Sequence, residues 1–300
     1  MKYAMTGYRG LIGQFLKERL DSEGGKCVLG IDKQDGFNVL DLALKEQYLD
    51  EKIDVFFHLA AQCRINEAIA MPRLPHSNNT NGIFEVLEFC RKHEIPKILV
   101  TSTSRVLSKE RNPYVASKIY VEELTKAYKD CYGIDYIIVR PSTVYGPMFD
   151  TTSRLINNFI VAALRGEDLK IYGDNTKTLD FTYVDDFVEG IMLALKQPWN
   201  ETYNVSGEDE VKLVDIAEEV IRAAESESNL LFFPQEIAQP QQVKIDNSKI
   251  LNTGYVPKIK IKEGISKMIK WYKENPSAIE RYVDRGAKYY DLNSKEQESK

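Results

Sequence analysis

Three glycines set the terms on which this chain can fold. Gly7, Gly10 and Gly13 lie between the apolar run Tyr3-Ala4-Met5 and an amphipathic stretch that reaches about Ser22. A strand, a glycine-rich turn and a helix, in that order, open a βαβ unit. Gly7 permits the tight turn, Gly10 lets the backbone approach a pyrophosphate, and Gly13 lets the helix pack closely on the sheet. The helix N-terminus then faces the phosphates. Tyr8, Arg9, Leu11 and Ile12, together with the glycines, become candidates for holding a dinucleotide. Read alone, the spacing also fits an ordinary βα turn, and the next strand adds to it. Lys26 to Ile31 ends at Asp32. A carboxylate there accepts a bond from a ribose 2′-hydroxyl and repels a 2′-phosphate, which favours NAD over NADP. Only residues 33–40 separate Asp32 from Asp41 and Leu42. That is too little chain for a crossover helix, so the adenine side is expected to be open, with Lys33, Asp41 and Leu42 along it.

The alternation continues. Asp54 to His58 reads as a strand running into Leu59-Ala60-Ala61-Gln62, whose small side chains let a cofactor lie against the backbone. A helix is expected from about Asn79 to His93, with Asn79 capping or anchoring it beside the cofactor. The strand Lys97 to Thr101 runs into Ser102, Thr103 and Ser104. A helix from Tyr114 to Tyr132 follows, then the strand Asp135 to Val139 and Arg140-Pro141. Strands alternating with helices mean a parallel, doubly wound, Rossmann-type α/β sheet. Beyond Pro147 the rhythm changes. Helices are expected at Ser153–Arg165, Phe187–Leu195 (capped by Asp185-Asp186), Lys212–Ala224 and Ile261–Glu274, with strands at Leu169–Tyr172 and Leu179–Val184. The expected organisation is an NAD-binding domain of residues 1–150 plus 178–206, interwoven with a smaller α/β substrate domain of residues 151–177 plus 207–284. Residues 285–300 read as a flexible, charged tail.

Composition narrows the class of function. At 300 residues and 43% hydrophobic, the chain can bury real cores. The net charge is −5, and no Lys/Arg stripe is present, so a nucleic-acid or anionic-membrane surface has no electrostatic support. No apolar run is long enough for a membrane span, and because Tyr3 to Met5 reads as strand no signal peptide is expected. The cysteines are scattered without a C-x-x-C pair. Cys27, Cys90 and Cys131 lie in apolar-periodic segments and read as buried thiols of a reducing cytosol. His58, His76 and His93 lack metal-site spacing, so no metal is expected. The expectation is a cytoplasmic α/β protein.

Chemistry is carried by Tyr114 and Lys118. Four residues apart on a helix, they share a face. An ammonium there favours the phenolate and pulls the tyrosine pKa down from about 10. The pair forms an acid/base for taking a proton from an alcohol.

In order along the chain stand Thr6-Gly7-x-x-Gly10-x-x-Gly13, His58-Leu59-Ala60-Ala61, Asn79-x-x-Gly82, Thr101-Ser102-Thr103-Ser104 and Tyr114-x-x-x-Lys118. Arg140-Pro141-x-x-x-Tyr145-Gly146-Pro147, Asn157-Asn158-Phe159, Lys170-Ile171-Tyr172-Gly173-Asp174 and Phe181-Thr182-Tyr183-Val184-Asp185-Asp186 follow. From residue 2 to about 275 the chain resembles the extended short-chain dehydrogenase/reductases, and within them the nucleotide-sugar epimerases, dehydratases and decarboxylases. The resemblance implies Tyr114 as acid/base at the sugar carbinol, Lys118 holding the nicotinamide ribose, and Thr103 sharing a hydrogen bond with the reacting hydroxyl. It places Thr101, Ser102, Pro141 and Thr143 beside NAD. Asn158, Phe159, Ile171 and Tyr172 match positions that hold the nucleotide base of a substrate expected to be UDP-linked, and Phe159 and Ile171 read equally well as core. It also implies a homodimer built through a four-helix bundle of helices 79–93 and 114–132; Val121, Leu124 and Tyr128 fit such a seam, and fit an ordinary core face equally well.

The departures from that pattern are informative. Dehydratases of the group place Asp-Glu directly after the catalytic Thr, and here those substrate-side positions are Ser104 and Arg105. Neither can serve a 4,6-elimination, which needs a proton donor and a base. The decarboxylases' S-T-S-E-V-Y-G likewise has its Glu replaced by Arg105. Epimerisation, by inversion at C4 through a transient 4-keto sugar, is what remains. A dehydratase or oxidoreductase on a related sugar, or a cofactor-binding regulatory protein without turnover, stay open. Residues 104–113 are shorter than the usual active-site loop, and Thr143 stands where many relatives carry Asn. Leu179 and Gln239-Pro240-Gln241-Gln242 occupy places where relatives carry diphosphate-binding arginines. Arg64, Arg105, Arg154 or Lys170 are at hand to compensate.

Overall fold

β1 (Lys2–Thr6) sends Tyr3 and Met5 to one side and Ala4 to the other, and all three are fully buried. A strand covered on both faces needs a layer of helices on each. The computed structural model, which describes residues 1–42, 51–147, 154–207, 210–235, 238 and 245–281, is built that way. α1 (Leu11–Ser22), β2 (Lys26–Ile31), β3 (Val55–His58), α2 (Ile65–Ala70) and the short α3 (Arg73–Pro75) lead into a π-type turn at His76–Asn81 and α4 (Gly82–Lys92). β4 (Lys97–Thr101), α5 (Pro113–Tyr132), β5 (Asp135–Pro141) and β6 (Thr143–Tyr145) come next. The remainder is α6 (Leu155–Leu164), β7 (Leu169–Tyr172), β8 (Thr178–Tyr183), α7 (Val184–Leu195), β9 (Glu201–Val205) and β10 (Glu210–Lys212). α8 (Leu213–Ala224), β11 (Leu230–Phe233), α9 (Ser248–Leu251) and α10 (Ile261–Glu274) complete it.

Six parallel strands run in the order β2-β1-β3-β4-β5-β9. This is a Rossmann-type doubly wound sheet. One core gathers Tyr3, Met5, Leu99 and Val139 with α1 and α7, and the other gathers Ala4, Ile98, Val100 and Ile138 with α4 and α5. The remaining strands form a β10-β8-β6 sheet and a parallel β11-β7 pair. α6, α8 and α10 pack together against these strands.

α5 shows how local sequence fixes an element. Asn112 caps it, with Oδ1 accepting from Val115 N at 2.9 Å; Pro113 occupies the first turn, and Gly133 ends it at φ 77°. Elsewhere the structure corrects the sequence reading. The helical path begins upstream of Asn79, which sits inside the π-type turn rather than at a cap. Asp185 and Asp186 lie within the first turn of α7, and Asp186 accepts from Ile259 N at 2.8 Å, tying α7 to a distant loop. The short strands β6, β9, β10 and β11 carry too few alternating residues to announce themselves. Of the two readings of Val121, Leu124 and Tyr128, the structure shows the core face: Val121 and Tyr128 are buried in the chain's own core, with Leu124 packed against it. Cys131 is exposed rather than buried. The expected tail, 285–300, and Gln239-Pro240-Gln241-Gln242 lie outside the described residues.

Candidate active site

In an open α/β sheet, ligands bind beyond the carboxyl ends of the strands, where the strand order reverses. Here that point lies between β1 and β3, and a cleft of about 790 Å³ opens from it. Gly7, at φ 72°, turns the chain out of β1, and its N–H bonds Ile31 O at 2.8 Å. A Cβ on Gly7 would stand 2.7 Å from Ala60 N, and one on Gly13 would stand 2.1 Å from Gly7 O. Both positions therefore require glycine. α1 starts at Gly10 with no side-chain cap, which leaves its first N–H groups for an anion. Asp32 lines the same cleft. Its Oδ2 accepts from Arg9 N at 3.0 Å and its Oδ1 from Gln34 N at 2.9 Å, and each oxygen keeps a further lone pair for a hydroxyl. An uncapped helix start, a glycine cradle and a carboxylate at the end of β2 fit a dinucleotide.

Leu11, Ile12, Lys33, Leu59, Ala60, Ala61 and Gln62 line the cleft as expected. Four neighbours do not. The Tyr8 hydroxyl and the Arg9 guanidinium both turn to Asp35, the latter at 2.5 Å. Asp41 accepts from Asn38 N at 3.2 Å, and Leu42 is buried in the core. The helical turn Lys33–Asp35 and Gly36, at φ 80°, fold the loop so that Phe37, Asn38 and Val39 reach the cleft instead. Asn79 lies behind the wall. Its Oδ1 accepts from Gln62 N at 2.7 Å, and its Nδ2 donates to Gln62 O at 3.0 Å and Ser117 Oγ at 2.8 Å. It clamps the 59–62 segment to α5 rather than touching a ligand.

Tyr114, in the first turn of α5, meets Thr103 at the end of β4, and their side chains hydrogen-bond. Lys118, one turn on, donates to Thr101 O at 2.8 Å. Burial pushes the Tyr114 pKa up, with Cys63 adding to the rise; the Thr103 hydrogen bond and the charges of Arg105 and Arg154 pull the other way. The expectation that Lys118 lowers the Tyr114 pKa is thus not met in the isolated chain: its ammonium is drawn to Thr101, and burial brings its own pKa down to about 8. Thr101, Ser102, Thr103, Pro141 and Thr143 share this end of the cleft. A buried network beneath it escaped the sequence reading. Arg140 donates to Glu122 from Nε at 2.8 Å and Nη2 at 2.5 Å, and Ser102 Oγ donates to the same carboxylate at 2.5 Å. It locks β4 and β5 to α5. Only the i, i+4 spacing of Lys118 and Glu122 hinted at it.

On the far side Asn158, Phe159, Lys170 and Tyr172 line the cleft, as do Arg64, Arg105 and Arg154. Ser104 and Ile171 do not; both are buried in the protein. In β7 the pleat turns Ile171 inward while Lys170 and Tyr172 face the cleft. Leu179, read from the sequence as a departure from the arginine the resemblance implies, reaches the cleft as an apolar side chain. Among the described residues no group of three or more His, Cys, Asp or Glu is placed to hold a metal, and no helix is long and apolar enough to cross a membrane.

Comparison with known proteins agrees with this geometry. The sequence profile of the NAD dependent epimerase/dehydratase family matches residues 3–206. A UDP-glucuronate 4-epimerase of Thermodesulfobacterium geofontis is 28% identical, across 92% of this chain and 98% of its own length. A putative UDP-glucose 4-epimerase of Methanocaldococcus jannaschii is 28% identical across 90% and 98%. Among solved structures, a UDP-glucuronic acid 4-epimerase mutant of Bacillus cereus, in complex with a UDP-sugar analogue and NAD, superposes with a TM-score of 0.82 at 25% identity, covering 91% of this chain and 99% of that one.

Proposed function

This chain belongs to the NAD dependent epimerase/dehydratase family, and from that premise we propose that it is an NAD-dependent nucleotide-sugar epimerase that inverts C4 of a UDP-linked sugar. The observation that carries the choice of reaction lies beside Thr103 and Tyr114. An elimination needs an acid and a base next to the reacting carbon. Those positions hold Ser104, which is buried, and Arg105, a cation. Among the described residues the carboxylates lining the cleft are Asp32, Glu167 and Asp168. The first belongs to the glycine turn and the other two precede β7, so none adjoins Tyr114. Inversion asks only for a proton acceptor at the C4 hydroxyl and space for the keto sugar to turn over.

The residues divide the work. The Gly7–Gly13 turn and the start of α1 bind the diphosphate of the cofactor, and Asp32 accepts from its adenosine ribose. Lys118, steadied by Thr101 O, holds the nicotinamide ribose. Held there, NAD would supply a hydride acceptor and donor for C4 and a positive charge at the site. Arg105 and Arg154 counter the burial that raises the Tyr114 pKa, and a cofactor charge would add to theirs. Tyr114 takes the C4 hydroxyl proton and returns it, while Thr103 bonds the same oxygen. Asn158, Phe159, Lys170 and Tyr172 receive the nucleotide.

The same reading assigns residues 1–150 with 178–206 to a cofactor lobe and 151–177 with 207–284 to a substrate lobe, the β10-β8-β6 sheet drawing strands from both. It takes the protein as a cytoplasmic homodimer. Phe84 on α4 and Tyr120 and Tyr132 on α5, each more than 40% exposed, supply an apolar face for a bundle of these helices. The test is a panel of UDP-, dTDP-, CDP- and GDP-sugars, read by mass spectrometry and by proton NMR of the anomeric region. A new anomeric signal at unchanged mass, absent in Tyr114→Phe, is expected. Loss of water would establish a dehydratase instead.

A further inference from the structure

The catalytic end of the cleft carries a cation that, among the described residues, no carboxylate pairs with. Arg105 sits two residues beyond Thr103, in the helical turn Ser104–Leu107, and its side chain lines the cleft. Among the described residues its guanidinium makes one long hydrogen bond, from Nη2 to Thr143 Oγ1 at 3.4 Å. Among the described residues no carboxylate lies within ion-pair distance of it. Asp180 and Glu110 act on it only from further off. Both are otherwise engaged: Asp180 accepts from Gly207 N at 3.1 Å, and Glu110 from the Ser108 hydroxyl. Withdrawing a guanidinium from water without a counter-charge is costly. A cation kept in this place is matched by an anion that arrives with the ligand.

Ring geometry says where on the substrate that anion sits. The charge of Arg105 acts on the Tyr114 hydroxyl, to which Thr103 is hydrogen-bonded. Arg105 N also donates to Thr103 Oγ1 at 3.3 Å, and all three residues line the cleft, so on the 4-epimerase reading they face the carbon being inverted. In a pyranose, C1 stands across the ring from C4, whereas C5, which bears C6, is bonded to C4. The nucleotide diphosphate hangs from C1 and points away from the reacting carbon. C4 is bonded to C3 and C5; where C3 carries a plain hydroxyl, an anion that meets Arg105 while the C4 hydroxyl meets Tyr114 is carried on C6.

We infer that the substrate is a nucleotide-linked uronic acid, and that Arg105 selects it over the neutral hexose by pairing with its C6 carboxylate. This rests on the 4-epimerase reading above. The planar fork of a guanidinium matches a carboxylate through two parallel bonds, and Arg154 adds a second positive charge near Tyr114. A neutral hydroxymethyl group leaves the guanidinium without its partner, and discrimination of that kind is strong because an unmatched buried charge opposes binding.

The test compares initial rates with UDP-glucuronate and UDP-glucose by proton NMR. The NAD-loaded wild type is run beside Arg105→Gln and Arg105→Lys, with thermal melting to establish that each is folded. The wild-type kcat/KM ratio is expected to favour the uronate by about 10- to 100-fold. Arg105→Gln collapses that ratio towards one, and Arg105→Lys keeps part of it. A wild type that prefers the neutral sugar overturns the inference. So does an Arg105→Gln that slows both substrates alike, which would assign the guanidinium to the shared diphosphate. If neither sugar is turned over, the 4-epimerase reading has failed, and calorimetry of the same two ligands decides the assignment separately. An Arg105-dependent preference for UDP-glucuronate upholds it; equal binding of the two by wild type rejects it.

Discussion

The two halves of the cleft are made of different material. The half under β1, β2 and β3 is mostly backbone: Gly7 at positive φ, Gly13 packed against Gly7 O, the uncapped start of α1, and the small residues Ala60 and Ala61. The half towards β7 is made of side chains brought from separate places, among them Arg105, Arg154, Asn158, Lys170 and Tyr172. A site made of backbone needs glycines and strand ends at fixed spacing, because only those let a ligand and the main chain come together. A site made of side chains tolerates replacement, so its chemistry can change while the fold stays. That accounts for a full cofactor motif standing beside a substrate half in which Leu179 and Arg105 replace the usual groups.

The contrast can be broken at its boundary, and the largest effect is expected there. Tyr114→Phe keeps the ring and removes the proton acceptor. Its kcat should fall by about 10²- to 10⁴-fold, with bound NAD, measured by absorbance after denaturation, unchanged. A variant that lost both together would show that the halves are not separable at Tyr114.

Within the backbone half, Gly13→Ala brings a Cβ to 2.1 Å from Gly7 O. The overpacking should cost about 1–3 kcal/mol of stability, seen in urea melts, and should lower the NAD content of the purified protein. Full NAD retention would mean that the turn is more adaptable than its geometry implies.

The same half should respond to acid. His58 is buried against Thr6, with Nδ1 and Oγ1 2.8 Å apart, and burial, then the charge of Lys118, depress its pKa from 6.5 to about 3. Between those values the unfolded chain binds a proton that the folded chain does not, so stability falls as pH drops from about 6.5 towards 3. The contribution is at most about 1.4 kcal/mol per pH unit. His58→Asn should flatten that part of the stability curve relative to wild type, and parallel curves would remove His58 as the cause.

The substrate half should be the easier one to alter. Leu179→Arg places a guanidinium on the cleft wall where relatives carry one, and UDP affinity by calorimetry should rise by about tenfold. An unchanged affinity would mean that Arg64, Arg154 or Lys170 already serves the diphosphate.

What could be read from the sequence follows the same division. The doubly wound sheet, the glycine turn, Asp32 and the Tyr114, Lys118 and Thr103 cluster were all legible, because each depends on residues close together in the chain or on strand ends the fold must align. Tyr8 and Arg9 were misplaced because Asp35, a residue outside the motif, captures both side chains. Asn79 was read as capping or anchoring its helix; it anchors, and the π-type turn that rules out a cap leaves no mark in hydrophobic spacing. Ile171 was put in the cleft by its motif, whereas the pleat of β7 turns it inward. The Glu122–Arg140–Ser102 network joins a helix to two strands, and no local pattern announces such a contact.

The central claim is that C4 is oxidised and restored without exchange with solvent. The most direct measurement is to run the reaction with UDP-glucuronate in D₂O and follow the ring protons by NMR. The account predicts the C4 epimer at unchanged mass after back-exchange of hydroxyls, with hydrogen rather than deuterium at C4. Deuterium at C4, or a product lighter by one water, would contradict it.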